Sequence, residues 1–292
     1  MTQPLLRSVQ CISPAGLHHM AYKQWGAADN PEVVLCIHGV TRVSDDFDAL
    51  AAELARDFRV VCPDVVGRGR SGRLANPMLY SQPQYVADMV TLIARLDVPR
   101  VRLVGTSMGG LIGMLLASLP GNPVSRMVIN DVGPAIEASA LQRIAAYLGQ
   151  AARFASQEEG IAYVRQLSAT FGPHTEAQWR KLGSDALRQE ENGDWVRNYD
   201  PAIAEPVRVM TPESAQQAQA ALWRAWEAIT CPVLLLRGQQ SDLLSADTAR
   251  RMGETGPRAR LVEFPGVGHA PTLVHANQIE VVAAFLRQQE PA

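Results

Sequence analysis

The sequence predicts a doubly wound α/β fold, in which a mostly parallel sheet carries helices on both faces. Short runs rich in Val, Ile and Leu lack polar alternation, as expected for strands that are buried on both faces. These runs alternate with longer segments of helical spacing, and that order implies right-handed crossovers in a parallel sheet. At 292 residues, with 47% hydrophobic and 19% charged residues, the chain can bury a large core as one domain with an insertion.

Six apolar runs are the candidate strands of this sheet: Val33 to Ile37, Phe58 to Cys62, Val101 to Gly105, Arg126 to Asn130, Pro232 to Gly238 and Ala259 to Phe264. The segments with helical spacing are residues 45–57, 84–97, 109–119 and 278–289. This order of elements is typical of a sheet built from strand–helix–strand units.

The alternation is interrupted at residues 133–228, where the pattern is mostly helical. Because a strand-like run resumes afterwards, we expect an insertion that returns the chain to the same sheet. The predicted domains are therefore a core of residues 1–132 and 229–292 and a helical cap of residues 133–228. The cap contains aromatic residues that could form the apolar wall of a substrate pocket; the candidates are Trp179, Trp195 and Trp223.

Charge and composition restrict the classes of partner. A net charge of −2 and a pI near 6.3 give no general attraction to nucleic acid or to anionic lipid. No segment approaches eighteen uncharged apolar residues, and the first residues lack the apolar region of a signal peptide. The four cysteines lack metal-ligand spacing, so we predict buried thiols and no metal site. We expect a cytoplasmic protein; the sequence does not indicate its oligomeric state.

The stretch "GTSMG", from Gly105 to Gly109, matches the pattern G-x-S-x-G of a nucleophile elbow. It lies after a candidate buried strand and before a candidate helix, which is the context that the pattern requires. Glycines permit a tight turn there, and a helix N-terminus places amide groups beside the serine. We therefore predict that Ser107 is a nucleophile.

A nucleophilic serine needs a base and an orienting acid. Among the six histidines, His269 is the best candidate for the base, because it follows the last candidate strand in a glycine-rich loop. Two aspartates follow strands at the same edge of the predicted sheet, Asp242 in "RGQQSD" and Asp131 in "NDVGP". Either preserves the chain order Ser, Asp, His. We favour Asp242 and keep Asp131 as the alternative.

An oxyanion hole would need two backbone N–H groups near Ser107. The loop that follows the first long strand, "HGV", can supply the N–H of Val40, and the N–H of Met108 follows the serine directly. Arg42, close to the same loop, is a candidate contact for an anionic substrate group. An ion pair with Asp45 or Asp46 is the competing interpretation.

Taken together, these motifs resemble those of the α/β-hydrolases, in particular the soluble, capped esterases and lactonases. The matching pieces are "HGV", "DVVGRGRSG", "GTSMGG", "RGQQSD" and "GHAP", in the order found in that family. The resemblance implies an eight-stranded, mostly parallel sheet, a cap between strands six and seven, no cofactor, and a triad of Ser107, His269 and Asp242. The implied activity is hydrolysis of a small carboxylic ester or lactone through an acyl-enzyme.

Parts of the sequence also fit other functions. "GRGRSG", from Gly67 to Gly72, fits a dinucleotide-binding pattern, but Asn76 and Pro77 intervene before the next helical segment. A dehalogenase on this fold would need a carboxylate where Ser107 stands. Two alternatives stay open, a cofactor-free haloperoxidase-like activity on the same triad and a non-enzymatic receptor that binds a small molecule under the cap.

Overall fold

A computed structural model describes residues 3–288, and its main feature is an eight-stranded sheet. The spatial order of the strands is β1-β2-β4-β3-β5-β6-β10-β11, with β1, β2 and β4 paired antiparallel and the other pairs parallel. The predicted fold, a mostly parallel and doubly wound sheet of eight strands, is confirmed. The strands of this sheet are β1 (Leu5–Ser13), β2 (Gly16–Trp25), β3 (Val33–Ile37), β4 (Arg59–Pro63), β5 (Val101–Thr106), β6 (Val124–Asn130), β10 (Val233–Gly238) and β11 (Arg260–Phe264).

All six candidate strands are present, but the sequence analysis did not identify the hairpin formed by β1 and β2. In β1 the buried residues alternate with exposed ones near its end, and the first four residues are exposed. A two-sided buried run such as β3, in which all five residues are buried, gives a much clearer signal. The hairpin was missed because it lies at the edge of the sheet, where one face meets water.

Helices cover both faces of this sheet. The side chains of β3 alternate between two apolar clusters: Leu35 packs in one with α2 and α3, and Val34 packs in the other with α1 and α10. The helices are α1 (Asp48–Leu54), α2 (Gln82–Leu96), α3 (Met108–Ala117), α4 (Ala138–Tyr147), α5 (Gln157–Leu167), α6 (Glu176–Asp185), α7 (Glu205–Arg208), α8 (Pro212–Ala228), α9 (Ala246–Glu254) and α10 (Ala276–Leu286). The last predicted helical segment began at residue 278; its final residue, Gln289, lies outside the described residues.

The chain leaves the sheet after β6 and rejoins it at β10, and the intervening segment is not wholly helical. Besides α4 to α8 it contains a three-stranded antiparallel sheet, in the order β7-β9-β8, formed by Arg153–Phe154, Trp195–Arg197 and Leu187–Gln189. The segment is mostly helical, and the small sheet is a feature that the sequence pattern did not indicate. Strands of two or three residues are too short to show a period of two in the sequence.

The carboxyl ends of the parallel strands meet at one edge of the sheet, which is where ligands bind in open α/β folds. Ser107 follows β5, Asp131 follows β6, and the loop containing His269 follows β11. The topology therefore brings His269 to the same edge as Ser107 and Asp131, which lie more than 100 positions earlier in the chain. No helix within residues 3–288 is long and apolar enough to cross a lipid bilayer. All four cysteines are free, and Cys11, Cys36 and Cys62 are buried.

Candidate active site

Ser107 lies in the turn between β5 and α3, with backbone angles of φ 52° and ψ −117°. Non-glycine residues rarely adopt a positive φ, so this conformation is strained. The turn requires glycines on both sides. A Cβ atom added to Gly109 would collide with the carbonyl oxygen of Ile37, and one added to Gly105 would collide with the backbone of Gly109. The sequence pattern G-x-S-x-G therefore corresponds to a close approach of α3 to the sheet.

His269 lies between Ser107 and Asp131. Its Nε2 atom is 3.0 Å from Oγ of Ser107, and its Nδ1 atom is 2.7 Å from Oδ2 of Asp131. The imidazole is mostly buried, with 11% of its side chain exposed. The hydroxyl of Thr170 also donates to the carbonyl oxygen of His269, which ties the histidine loop to the inserted segment. This linear arrangement of hydroxyl, imidazole and carboxylate is the geometry of a catalytic triad.

The Asp131 carboxylate is fully buried and accepts hydrogen bonds from several donors. The N–H of Gly238, at the end of β10, donates to Oδ1 at 2.8 Å, and the hydroxyl of Ser241 donates to Oδ2 at 2.6 Å. Together with the imidazole of His269, these donors fix the carboxylate in one orientation.

The expected partnership of His269 with Asp242 is contradicted by the structure. Asp242 lies four residues beyond the end of β10 and forms a bidentate ion pair with Arg143 of α4, at 2.7 and 2.9 Å. Its side chain is 38% exposed. Asp131 follows β6 directly, next to the end of β10, so it reaches the imidazole without crossing the Ser241 loop. The alternative acid named from the sequence is the one beside His269.

The loop that follows β3 packs against Ser107. The Cβ atom of Ser107 would be 3.7 Å from a Cβ atom added to Gly39, so the two backbones are close neighbours. A buried guanidinium supports this loop: Arg68 donates from Nε to the carbonyl oxygen of Val40 at 2.9 Å, and its Nη2 lies 3.5 Å from Sδ of Met108. Arg68 thus contacts both residues that the sequence suggested for the oxyanion hole.

Arg42 lines the cavity beside Ser107 but is already paired. Its guanidinium binds Asp46 at 2.8 and 2.6 Å and donates to the carbonyl oxygen of Leu182 in α6 at 2.9 Å. Burial disfavours the cation, yet the nearby Asp46 carboxylate raises the pKa of Arg42 above its usual value. Of the two interpretations of Arg42, the ion pair with Asp46 is the one that the structure contains. Contact with a substrate stays a prediction.

A cavity opens over Ser107 and His269, and the inserted segment supplies its outer wall. None of the three predicted tryptophans is among the residues that line it, so that expectation was wrong. Trp179 packs on His174, Trp195 joins the small apolar cluster of the insertion, and Trp223 stacks with Arg251. The apolar wall is formed instead by smaller and more central side chains: Ile144, Tyr147, Val164, Leu167 and Phe171.

Two charged residues of the cavity wall were not identified from the sequence. They are Arg143, in the middle of α4, and Arg197, in β9. Neither stands in a recognisable motif, and arginine on a surface helix or strand carries no signal of its own. The hydroxyl of Ser241, which donates to Asp131, was also missed, although it lies within the motif "RGQQSD".

One group of described side chains outside the cavity could hold a metal ion. Single ligand atoms of Cys11, His18 and Asp88 all lie within 4.8 Å of one another, and all three residues are buried. His18 contacts both carboxylate oxygens of Asp88, at 3.1 and 3.0 Å, and Gln84 donates to the same carboxylate. Burial raises the pKa of the Cys11 thiol to about 12, so the sulfur carries its proton at neutral pH. A protonated thiol is a poor metal ligand.

Comparisons with known proteins agree with this geometry. A family model described as the alpha/beta hydrolase fold matches residues 32–276. The chain is 54% identical over 285 residues to a 3-hydroxybutyrate-oligomer hydrolase of Cupriavidus necator, covering 97% of each protein. It is 26% identical over 237 residues to 2-(acetamidomethylene)succinate hydrolase of Mesorhizobium japonicum, covering 81% of each. The solved structure of an alpha/beta hydrolase from Novosphingobium aromaticivorans superposes with a TM-score of 0.86 at 34% identity, over 98% of this chain and 99% of that one.

The Cupriavidus and Novosphingobium similarities extend over nearly the whole chain, and the family model spans the strand ends that carry Ser107, Asp131 and His269. They confirm the family resemblance predicted from the motifs and the prediction that the protein is a hydrolase. The chain belongs to the alpha/beta hydrolase fold family.

Proposed function

We propose that the protein hydrolyses carboxylic esters through an acyl-enzyme on Ser107, and that its substrates are oligomers of 3-hydroxybutyrate. The observation that carries this proposal is the alignment of three side chains: Ser107 Oγ is 3.0 Å from His269 Nε2, and His269 Nδ1 is 2.7 Å from Asp131 Oδ2. The chain is an ester hydrolase by its relationship to the Cupriavidus enzyme, and the residue roles and the substrate are the new elements.

In the first step, Ser107 Oγ attacks the ester carbonyl carbon while His269 Nε2 accepts the serine proton. The carbonyl becomes a tetrahedral oxyanion, and the imidazole becomes an imidazolium. The buried Asp131 carboxylate holds the proton of His269 on Nδ1 before attack, so that Nε2 is free to accept a proton. The same negative charge stabilises the imidazolium afterwards.

We infer that the N–H groups of Val40 and Met108 bind this oxyanion. Met108 is the first residue of α3, and N–H groups in the first turn of a helix have no acceptor within the helix. The helix dipole adds a partial positive charge at the same point. Val40 lines the cavity beside Ser107, and its carbonyl oxygen accepts a hydrogen bond from Arg68. The peptide unit that carries the Val40 N–H is held on its other side, because Nδ1 of His38 donates to the carbonyl oxygen of Gly39 at 2.7 Å. The donor is therefore restrained before substrate arrives, as electrostatic stabilisation requires.

Collapse of the oxyanion breaks the ester bond and leaves the acyl group on Ser107. The imidazolium of His269 gives its proton to the departing alkoxide oxygen, which leaves as an alcohol. A water molecule then attacks the acyl carbon, and His269 accepts its proton. The second tetrahedral intermediate releases a carboxylic acid and restores the hydroxyl of Ser107. No redox step occurs in this sequence, and each proton taken up by His269 is returned.

The substrate assignment is supported by the Cupriavidus relative, which aligns with 97% of both chains. The boundary of the cap at residues 133–228 is part of the same proposal, because side chains from this segment, such as Tyr147 and Phe171, line the cavity over Ser107. We infer that this segment encloses the acyl and alcohol parts of the substrate. An apolar wall with a few polar groups is typical of small-molecule sites.

The proposal is tested by incubating the purified protein with the linear dimer and trimer of 3-hydroxybutyrate and measuring released monomer by mass spectrometry. We expect release by the wild type and a loss of about 10³-fold or more in Ser107→Ala, because the nucleophile is removed. p-Nitrophenyl butyrate serves as a general ester. Cleavage of this ester without cleavage of the oligomers would refute the substrate assignment, and undiminished turnover by Ser107→Ala would refute the mechanism.

A further inference from the structure

Arg197 is a buried arginine on the wall of the catalytic cavity. It ends β9 in the small sheet of the inserted segment, and only 7% of the residue is exposed. It lines the same cavity as Ser107 and His269. The side chain therefore lies within the cavity that holds the proposed nucleophile and away from the outer surface of the protein.

The guanidinium of Arg197 has no hydrogen-bond acceptor and no carboxylate partner among residues 3–288. Its Nε atom is buried without an acceptor. The contact that it does make is with an aromatic ring, since its Cζ atom lies 5.1 Å from the ring centre of Tyr199. An aromatic face attracts a cation but accepts no conventional hydrogen bond from the guanidinium fork.

The two other arginines of the cavity wall differ from Arg197 in this respect. Arg42 is paired with Asp46, and Arg143 is paired with Asp242, each through two hydrogen bonds. Their charges are largely neutralised by these carboxylates. Arg197 is the cavity arginine whose charge is not balanced within the described part of the chain.

A buried cation without a partner is unfavourable, because burial removes water and nothing replaces it. Burial lowers the pKa of Arg197, and the nearby positive charge of Arg42 lowers it further. Arginine nevertheless stays protonated in proteins. The fold thus maintains an unbalanced positive charge inside the cavity. An anion that entered the cavity would find a planar donor whose Nε is already buried and which lies against the ring of Tyr199.

We propose that Arg197 binds a free carboxylate of the substrate, so that the enzyme selects esters that carry a carboxylate over neutral esters. A guanidinium matches a carboxylate with two parallel hydrogen bonds, which fixes orientation as well as charge. Every linear oligomer of a hydroxy acid ends in such a group, so the inference rests on the proposed function and refines it. It also implies that the carboxylic acid products bind to the same site and inhibit the enzyme.

The test uses a matched pair of substrates, the linear dimer of 3-hydroxybutyrate and its terminal carboxamide. The two molecules share the scissile ester and the shape, and they differ in charge. For the wild type we expect kcat/KM for the dimer to exceed that for the amide by about 30-fold or more, mainly through KM, as for a lost hydrogen bond to a charged group. In Arg197→Met this ratio should fall to near one. Arg197→Lys keeps the positive charge but lacks the planar guanidinium, and it should give an intermediate ratio.

Arg188→Met is the matched control. Arg188 lies in the neighbouring strand β8, opposite Val196, and pairs with Glu190 away from the cavity. Its substitution removes one positive charge from the same small sheet and should leave the ratio at the wild-type value. An equal fall in both variants would overturn the proposal, since a general loss of positive charge would then explain it. An unchanged ratio in Arg197→Met would also overturn it.

A second readout separates this inference from the substrate assignment. With p-nitrophenyl butyrate as the reporter, 3-hydroxybutyrate and its neutral amide are compared as competitive inhibitors. We expect the anion to inhibit the wild type about 30-fold more strongly than the amide, and the two to be equal in Arg197→Met. This result would support the carboxylate site even if neither dimer were cleaved. Equal inhibition of the wild type by the anion and the amide would overturn the proposal even if both dimers were cleaved.

Discussion

Replacing Asp131 by Asn exchanges one carboxylate oxygen for an NH₂ group at a fully buried position. The new nitrogen can occupy either oxygen position. At Oδ1 it would face the N–H of Gly238, which is 2.8 Å away in the wild type, so two donors would oppose each other. Each buried donor left without an acceptor costs about 1–3 kcal/mol. At Oδ2 it would face the hydroxyl of Ser241, which can rotate and accept, and Nδ1 of His269.

The second arrangement is therefore the more stable one, and it requires Nδ1 of His269 to be unprotonated. The neutral imidazole must then carry its proton on Nε2, directed at Ser107, and it cannot accept the serine proton. The negative charge that stabilises the imidazolium is also lost. We expect Asp131→Asn to lower kcat by about 10⁴-fold, the size of effect seen when a triad acid is replaced by its amide. This factor corresponds to about 5.4 kcal/mol in the activation free energy.

Asp242→Asn is the matched substitution at the competing acid. The ion pair between Asp242 and Arg143 is partly exposed, with 38% and 35% of the two side chains accessible. Exposed ion pairs contribute about 0–1 kcal/mol to stability. Even if all of this were lost in the transition state, kcat on a neutral ester would fall by about fivefold, so we expect a smaller change than this.

Both variants are assayed with p-nitrophenyl butyrate, after thermal unfolding has shown that each is folded at the assay temperature. The reasoning would be refuted if Asp131→Asn retained a tenth or more of the wild-type kcat. It would also be refuted if the large defect followed Asp242→Asn.

Two further predictions concern buried residues around the loop that follows β3. His38 is fully buried, donates to the Gly39 carbonyl oxygen and accepts the N–H of Val65, and burial lowers its pKa below the usual 6.5. The unfolded state therefore takes up this proton first, and the free energy of unfolding should fall below pH 6.5 by up to about 1.4 kcal/mol per pH unit. Urea titrations should show this slope in the wild type and a smaller one in His38→Gln; equal slopes would contradict the assignment. Arg68→Met should lower the free energy of unfolding by about 1–3 kcal/mol or more, because the buried carbonyl oxygen of Val66 and the partly buried one of Val40 lose their donor. A loss below 1 kcal/mol in the same titration would show that water replaces the guanidinium.

Much of the fold could be predicted because its central strands are buried on both faces. Runs such as Val33 to Ile37 carry no polar residue, and few structures other than a covered parallel sheet accommodate them. Ser107 was predictable for a related reason, since its turn needs glycine at two fixed positions where α3 touches the sheet. His269 followed from its place after the last strand.

The aspartate that contacts His269 could not be chosen from the sequence, because two aspartates follow neighbouring strands at the same edge. The choice depends on contacts between distant parts of the chain. Gly238 and Ser241 donate hydrogen bonds to Asp131. Arg143 of the inserted segment forms an ion pair with Asp242, which does not contact His269. Neither set of contacts has a local signature. The same applies to the tryptophans of the insertion, since composition shows that they are apolar but not which of them faces the cavity.

The central claim is that Ser107 becomes acylated during turnover, and covalent trapping tests it most directly. The protein is treated with an aryl alkylphosphonate, which reacts with an activated serine, and the adduct is located by peptide mass spectrometry. We predict one adduct per chain, on Ser107, with loss of esterase activity in proportion to labelling and no labelling of Ser107→Ala or, at the same time point, of Asp131→Asn. Full inactivation with the adduct on another residue, or an active enzyme that never labels at Ser107, would contradict the account.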